Sequence, residues 1–236
     1  MRCPQCLQTL PELVGQCQCG FAFDEVAAVD LQDWFAKNQQ ILETAYTNAP
    51  TPWQQSGKSG TFEDWVRLRI ANLAPVQRSG TYLDIGCANG YLLECLAGWA
   101  RLKELEIIPH GLDYSAKLVA LARQRLPTSS HLYVGNAWNW IPVQRFDYVR
   151  TELDYVPRNY RKPFVERLLA EFVEQNGRLI ISQYRSRHDD LTQGWVEREL
   201  ERYGFRDVEV HSGYSADGLE LCRVAVLHPA DSLPRD

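Results

Sequence analysis

Leu83-Asp84-Ile85-Gly86-Cys87-Ala88-Asn89-Gly90-Tyr91-Leu92-Leu93 is the stretch that decides the fold. An apolar strand runs into a turn of small residues, and an apolar helix follows. Glycine lets such a turn bend tightly and lets a ligand approach the backbone. A dinucleotide-binding fingerprint needs glycine at the first, third and sixth positions. Counted from Gly86, the third position is Ala88 and the sixth is Tyr91, so that reading fails. What remains is an acidic residue followed by alternate small ones: Asp84, Gly86, Ala88 and Gly90.

Outward from this turn the pattern alternates. Residues 82–85 read as a strand and 91–100 as the helix after it. Residues 107–112 form a weaker strand, because Pro109 interrupts it. A helix over 115–126 is ended by Pro127, and 131–134 and 146–151 are strands. Residues 162–173 read as a helix with Gly177 just beyond it, and 178–184 as a strong strand. A helix over 191–203 is stopped by Gly204. The strands 206–211 and 220–227 have no helix between them, so they pair as a hairpin and bring one antiparallel strand into the sheet. The whole predicts an α/β fold: a doubly wound, seven-stranded, mostly parallel sheet with helices on both faces.

This order of elements, headed by Asp84, Gly86, Ala88 and Gly90, resembles the class I S-adenosylmethionine-dependent methyltransferases over about 150 residues. Ala88 stands where the family usually has its middle glycine. The resemblance implies a Rossmann-like methyltransferase domain, with S-adenosyl-L-methionine as cofactor. It implies that the loop of Gly86, Cys87, Ala88 and Gly90 passes under the methionine part of the cofactor. Asp84 either orients loop amides or reaches the cofactor's amino group. Gly111-Leu112-Asp113-Tyr114-Ser115 looks like the second-strand motif, whose acidic residue receives both ribose hydroxyls. Gly135-Asn136-Ala137-Trp138 falls where an acidic residue usually bonds the adenine amino group, and Asn136 still offers one acceptor oxygen. Trp138 either lines the adenine pocket or caps the sheet edge. The segments 146–151 and 176–181 look like the fourth and fifth strands, with Thr151 counted among the cofactor contacts.

Methyl transfer from a sulfonium is an in-line displacement, and holding the nucleophile in line supplies much of the rate. A base is needed only if the acceptor must lose a proton. Open α/β sheets bind ligands beyond their strand ends. Candidates there are Glu152, Asp154 and Tyr155 after the fourth strand, and Gln183, Tyr184, Arg185 and His188 after the fifth. Glu152 is the first choice, as base or as hydrogen-bond acceptor, with Tyr155 beside it. The alternative is a loop carboxylate bonding backbone amides. The family's Asn/Asp-Pro-Pro-aromatic segment for amino-group methylation is replaced by Arg150-Thr151-Glu152-Leu153. No Pro-Cys nucleophile for carbon methylation stands there either.

The chain has 236 residues, 45% of them hydrophobic, and a net charge of −5. That supports a full core with an appendage and argues against nucleic acid as the main partner. No apolar run is long enough for a membrane span, and the cytoplasm is the expected location. Seven cysteines are present, four of them in the first twenty residues. Cys3-x2-Cys6 and Cys17-x-Cys19 give four thiolates on two turns, a spacing that suits a structural Zn2+. The segment resembles a truncated zinc ribbon. Three zones follow: a ribbon-like segment over 1–24, a helical lead-in over 25–80, and the cofactor-binding domain over 81–236.

In the lead-in, Asp30 reads as the cap of one helix and Thr61 as the cap of a second, with Asp64 as capping-box partner. Trp34, Phe35, Trp65 and Val66 are expected to be buried, and 53–60 to form a lid over the cofactor and acceptor. The leading expectation is a methyltransferase for a small-molecule or unidentified acceptor. A ribosomal-RNA-type methyltransferase using the ribbon, and a non-catalytic binding module, are the alternatives. Nothing in the sequence fixes the oligomeric state.

Overall fold

The computed structural model describes residues 31–57, 60–126 and 131–229. Cys3, Cys6, Cys17 and Cys19, the proposed zinc ligands, lie outside them, as do Asp30, Lys58, Ser59 and Pro127. The chain forms two compact units, Met1–Asn38 and Gln39–Asp236. Within the first, the rings of Trp34 and Phe35 meet edge to face at 5.3 Å.

The larger unit is built on a seven-stranded sheet. Its strands are β1 (Gly80–Ile85), β2 (Ile107–Asp113), β3 (Leu132–Val134), β4 (Phe146–Thr151), β5 (Val173–Tyr184), β6 (Glu209–Tyr214) and β7 (Glu220–Leu227). Their spatial order is β3-β2-β1-β4-β5-β7-β6. The pairs from β3 through β5 are parallel, and β7 lies antiparallel to both β5 and β6. The order reverses between β1 and β4, which is where open α/β sheets bind ligands. The helices are α1 (Leu31–Thr47), α2 (Phe62–Arg69), α3 (Tyr91–Arg101), α4 (Ala116–Arg125), α5 (Arg161–Arg167) and α6 (Val196–Tyr203). Trp65 of α2, Leu93 and Leu96 of α3, Val119 of α4 and the sheet residues Tyr82, Tyr148, Ile180 and Val224 share one buried core. Among the described residues, no helix is long and apolar enough to cross a membrane.

Pro109 does sit inside β2. Gly111 and Asp113 bond toward β3 and Leu112 toward β1, so Pro109, in phase with Gly111, owes β1 no N–H. Thr61 caps α2 by accepting the Asp64 amide hydrogen at 3.1 Å. The Asp64 carboxylate turns instead to the Ala216 amide and Arg187.

Three boundaries differ from the sequence reading. The helix expected over 191–203 begins at Val196. Arg185 takes the carbonyls of Leu191, Gln193 and Gly194, which a longer helix would have needed, and stacks 3.8 Å over the Trp195 ring. Gly177 is not a helix stop. The helix widens into a π turn over Leu168–Phe172 and β5 starts at Val173. A Cβ on Gly177 would lie 2.8 Å from the Asp147 carbonyl, at the register shift between β4 and β5, so the glycine serves strand approach. The sixth strand starts at Glu209, because Asp207 takes a left-handed turn at φ 52°.

Candidate active site

The glycine turn is a backbone device. Gly86 and Gly90 have φ of 76° and 74°, and Ala88 has 46°. The Gly86 and Cys87 amides both donate to the Leu112 carbonyl, at 2.7 and 3.2 Å. This ties the end of β1 to the end of β2. Asp113 tightens the tie: its Oδ2 accepts from the Ala88 amide at 2.9 Å and its Oδ1 from the Ser115 amide at 2.8 Å. Cys87 is buried against β2, and a Cβ on Gly111 would lie 2.8 Å from its sulfur. Burial pushes the Asp113 carboxyl up to about 6, despite those two amides. Nearby, Glu43 of α1 accepts from the Ser115 hydroxyl at 2.6 Å and pairs with Lys117.

Asn89 joins the turn to the segment ahead of α2. Its Oδ1 accepts from the Tyr91 amide, and its Nδ2 donates to the Pro52 carbonyl at 3.0 Å and to Gln55 Oε1 at 3.2 Å. Behind that anchor, Ser56 and Gly57 reach a cavity of about 190 Å3. Its other walls are Tyr46, Arg69, Asp84, Gly86, Ala88, Leu92, Arg150, Glu152, Tyr155 and Tyr184.

Arg150 organises the cavity floor. It lies in central strand β4 and is 2% exposed, so its charge has to be met by protein groups. Nη1 faces Asp84 Oδ1 at 3.3 Å and the Tyr155 hydroxyl at 3.5 Å. Nη2 donates to Glu152, and Nε to Ser182 at 3.3 Å. Ser182 in turn donates to Asn72, which donates to the Tyr184 hydroxyl. Burial opposes the Arg150 charge, but the surrounding Glu152, Tyr155, Tyr184 and Asp84 outweigh it and hold the guanidinium charged. For Asp84 the balance goes the other way: burial outweighs Arg150 and pushes its carboxyl up to about 6. Tyr46 is driven up to about 12, chiefly by burial and then by Glu152. Tyr155 and Tyr184 are also raised by burial, so all three phenols are neutral at pH 7.

Two buried polar atoms here have no hydrogen-bond partner among the described residues: Asp84 Oδ2 and Arg69 Nη1. Arg69, 4% exposed, lies with its guanidinium carbon 3.4 Å over the Tyr184 ring. Asp84 and Arg69 both line the cavity, one bringing a carboxylate oxygen and the other a guanidinium nitrogen that no described protein group uses.

Of the residues singled out in the sequence, the cavity gathers Asp84, Gly86, Ala88, Glu152, Tyr155 and Tyr184. Asp113 joins through Ala88, and Gly90 begins α3. Thr151 is fully buried at the end of β4. Tyr114 is 40% exposed on the turn after β2. Asn136, Ala137 and Trp138 lie apart from the cavity, on the turn after β3. Gly135 links that turn to Asp113 by donating to its carbonyl at 3.0 Å. There the Asn136 side-chain oxygen accepts from the Trp138 amide, the buried Ala137 carbonyl accepts from Arg167, and Trp138 meets the Tyr160 ring edge on. Asp154 points outward to Arg161. The sequence reading missed Tyr46, Arg69 and Arg150 as members of one cavity. An arginine following Tyr148 and Val149 in a central strand was the available signal for Arg150.

No protein-family model matches the chain, and no curated protein matches it. Solved structures do match in fold. One is the 1,6-didemethyltoxoflavin-N1-methyltransferase of Burkholderia thailandensis with 1,6-didemethyltoxoflavin and S-adenosylhomocysteine bound. It has a TM-score of 0.60 and 14% identity, over 83% of this chain and 88% of that one. The magnesium protoporphyrin IX methyltransferase of Synechocystis PCC 6803 with bound SAM matches at 0.52 and 15%, over 82% and 92%. The plantazolicin methyltransferase BpumL in complex with SAH matches at 0.51 and 15%, over 83% and 92%. The likeness is one of architecture: the chain has the class I methyltransferase fold.

Proposed function

We propose that the chain is an S-adenosylmethionine-dependent methyltransferase acting on a small-molecule acceptor. The pair of unused buried atoms carries the reading. Asp84 Oδ2 is an acceptor suited to an ammonium, and Arg69 Nη1 a donor suited to a carboxylate. An amino-acid end group needs both, and S-adenosylmethionine has one. These residues therefore fit the methionine end, beside the turn of Gly86 and Ala88. Asp113, tied to the same turn, is the residue for the ribose, with Asn136 and Trp138 on the adenine side. The cofactor supplies a methyl group on a positively charged sulfur that is a ready leaving group.

The chain's own groups then do three things. Asp84 and Glu152 bring two carboxylates to the wall that faces that sulfonium, with Arg150 between them and Arg69 left for the cofactor's carboxylate. Glu152 gives one oxygen to Arg150, which holds the carboxylate in place. Its role is to accept a hydrogen bond from the acceptor and orient it, so the gain comes from alignment. Tyr46 and Tyr184 exclude water with neutral rings. The small cavity and the acidic net charge favour a small acceptor. The matched enzymes whose names specify toxoflavin and protoporphyrin substrates agree with that.

Calorimetry with S-adenosylhomocysteine is the test, repeated on Asp113→Ala. No binding by the parent at millimolar ligand sinks the enzyme reading, and equal binding by both sinks the role of Asp113. Radiolabelled methyl transfer into fractionated small molecules, RNA and protein would then identify the acceptor. The zinc reading of Cys3, Cys6, Cys17 and Cys19 rests on their spacing, and metal analysis of the purified protein decides it.

A further inference from the structure

We propose that the Tyr155 ring is a plug: it rests on the face of Gly86 that the methionine end of the cofactor takes, and it must swing away for the cofactor to seat. The inference rests on the cofactor reading above. A Cβ built on Gly86 would lie 2.4 Å from the Tyr155 Cζ and hydroxyl oxygen and 2.5 Å from Cε2. The ring therefore touches the backbone directly, and no second molecule fits between them. Side chain and cofactor compete for one surface.

The turn is the partner that cannot yield. Its amides at Gly86, Cys87 and Ala88 are spent on Leu112 and Asp113, so its shape is fixed by β2. Tyr155 can move. It ends a single 3-10 turn, Leu153–Tyr155, and its hydroxyl is held by a long 3.5 Å contact to Arg150. Leu153 and Val156 are buried on either side and anchor the backbone, so a rotation of the side chain is enough. When the phenol leaves, Arg150 keeps Asp84, Glu152 and Ser182, and no buried charge is stranded. The vacated space adjoins Glu152, so the motion that admits the cofactor also opens the acceptor's approach. Cofactor would bind before acceptor.

A plug lowers apparent affinity by the fraction of molecules in the open arrangement. Tyr155→Ala should therefore bind S-adenosylhomocysteine about tenfold tighter in calorimetry. Tyr155→Phe, which keeps the ring, should stay near the parent. A parent that binds while Tyr155→Ala binds equally or more weakly overturns the plug and leaves the cofactor reading intact. No binding by either overturns both. A measurement without ligand checks the contact. Gly86→Ala should lower Tm in the parent by more than it does in Tyr155→Ala, because the clash is gone there. Equal losses in the two backgrounds would show that the ring does not sit on Gly86, and the proposal would fall.

Discussion

Asp113 Oδ2 accepts the Ala88 amide hydrogen at 2.9 Å, so a side chain at the end of β2 holds the loop that leaves β1. The same carboxylate is buried, and burial raises its pKa from 3.8 to about 6. An acid that holds its proton more tightly when folded stabilises the fold at low pH. Stability should fall as pH rises from about 4 to about 6 and level off above, by on the order of 1–3 kcal/mol. Asp113→Asn removes its share. A pH series of thermal melts should show a flatter profile for the variant. An unchanged profile would assign the fall to another group, Asp84 first.

Arg150 and Asp84 make a contrasting prediction. Arg150→Met leaves the Asp84 carboxylate buried without its cation, which costs about 3–5 kcal/mol. Adding Asp84→Asn should recover part of that loss. Urea unfolding measures both, and a loss under about 1 kcal/mol in the single variant would contradict the buried pairing.

Asn89→Ala withdraws the donor that holds Pro52 and Gln55. The expected cost is about 1–2 kcal/mol. More telling is where the protein loosens: amide exchange should quicken over 53–57 and stay slow in β1. If that segment is the lid expected from the sequence, S-adenosylhomocysteine should slow its exchange in the parent. Unchanged exchange on binding would leave it a static wall.

Gly57→Ala tests the wall itself. Gly57 has φ 101°, and a Cβ there would lie 2.7 Å from Arg69 Nη2. The strain should cost about 1–3 kcal/mol. Displacing Arg69 should weaken S-adenosylhomocysteine binding at the same time. A variant that melts lower but binds as the parent does would separate Arg69 from the ligand.

Much of the fold was legible because periodicity and punctuation agreed. Gly204 ends α6 at φ 96°, Thr61 caps its helix, and the two final strands pair as expected. What misled was local grammar overruled by distant partners. Gly177 looks like a helix stop, yet Asp147 of β4 is what requires it. Residues 191–194 look helical until Arg185 claims their carbonyls. The site divides the same way. Asp84, Gly86, Ala88 and Asp113 stand in a contiguous motif or at a strand end, where spacing can be read. Arg69 ends a helix and resembles any solvated cation. Only folding brings it over Tyr184, and no spacing rule spans that separation.

The position of β7 has a consequence for how the protein is made. Among the described residues β6 pairs only with β7, and β7 fills the gap between β6 and β5. During synthesis, at roughly 5–20 residues per second, β6 emerges before the strand that will connect it to anything. Until then β5, twelve residues long with an apolar run at 179–181, presents an open edge. The sheet closes by insertion rather than by addition. A nascent chain interrupted before Glu220 would expose that edge, and it is there that a chaperone would be needed.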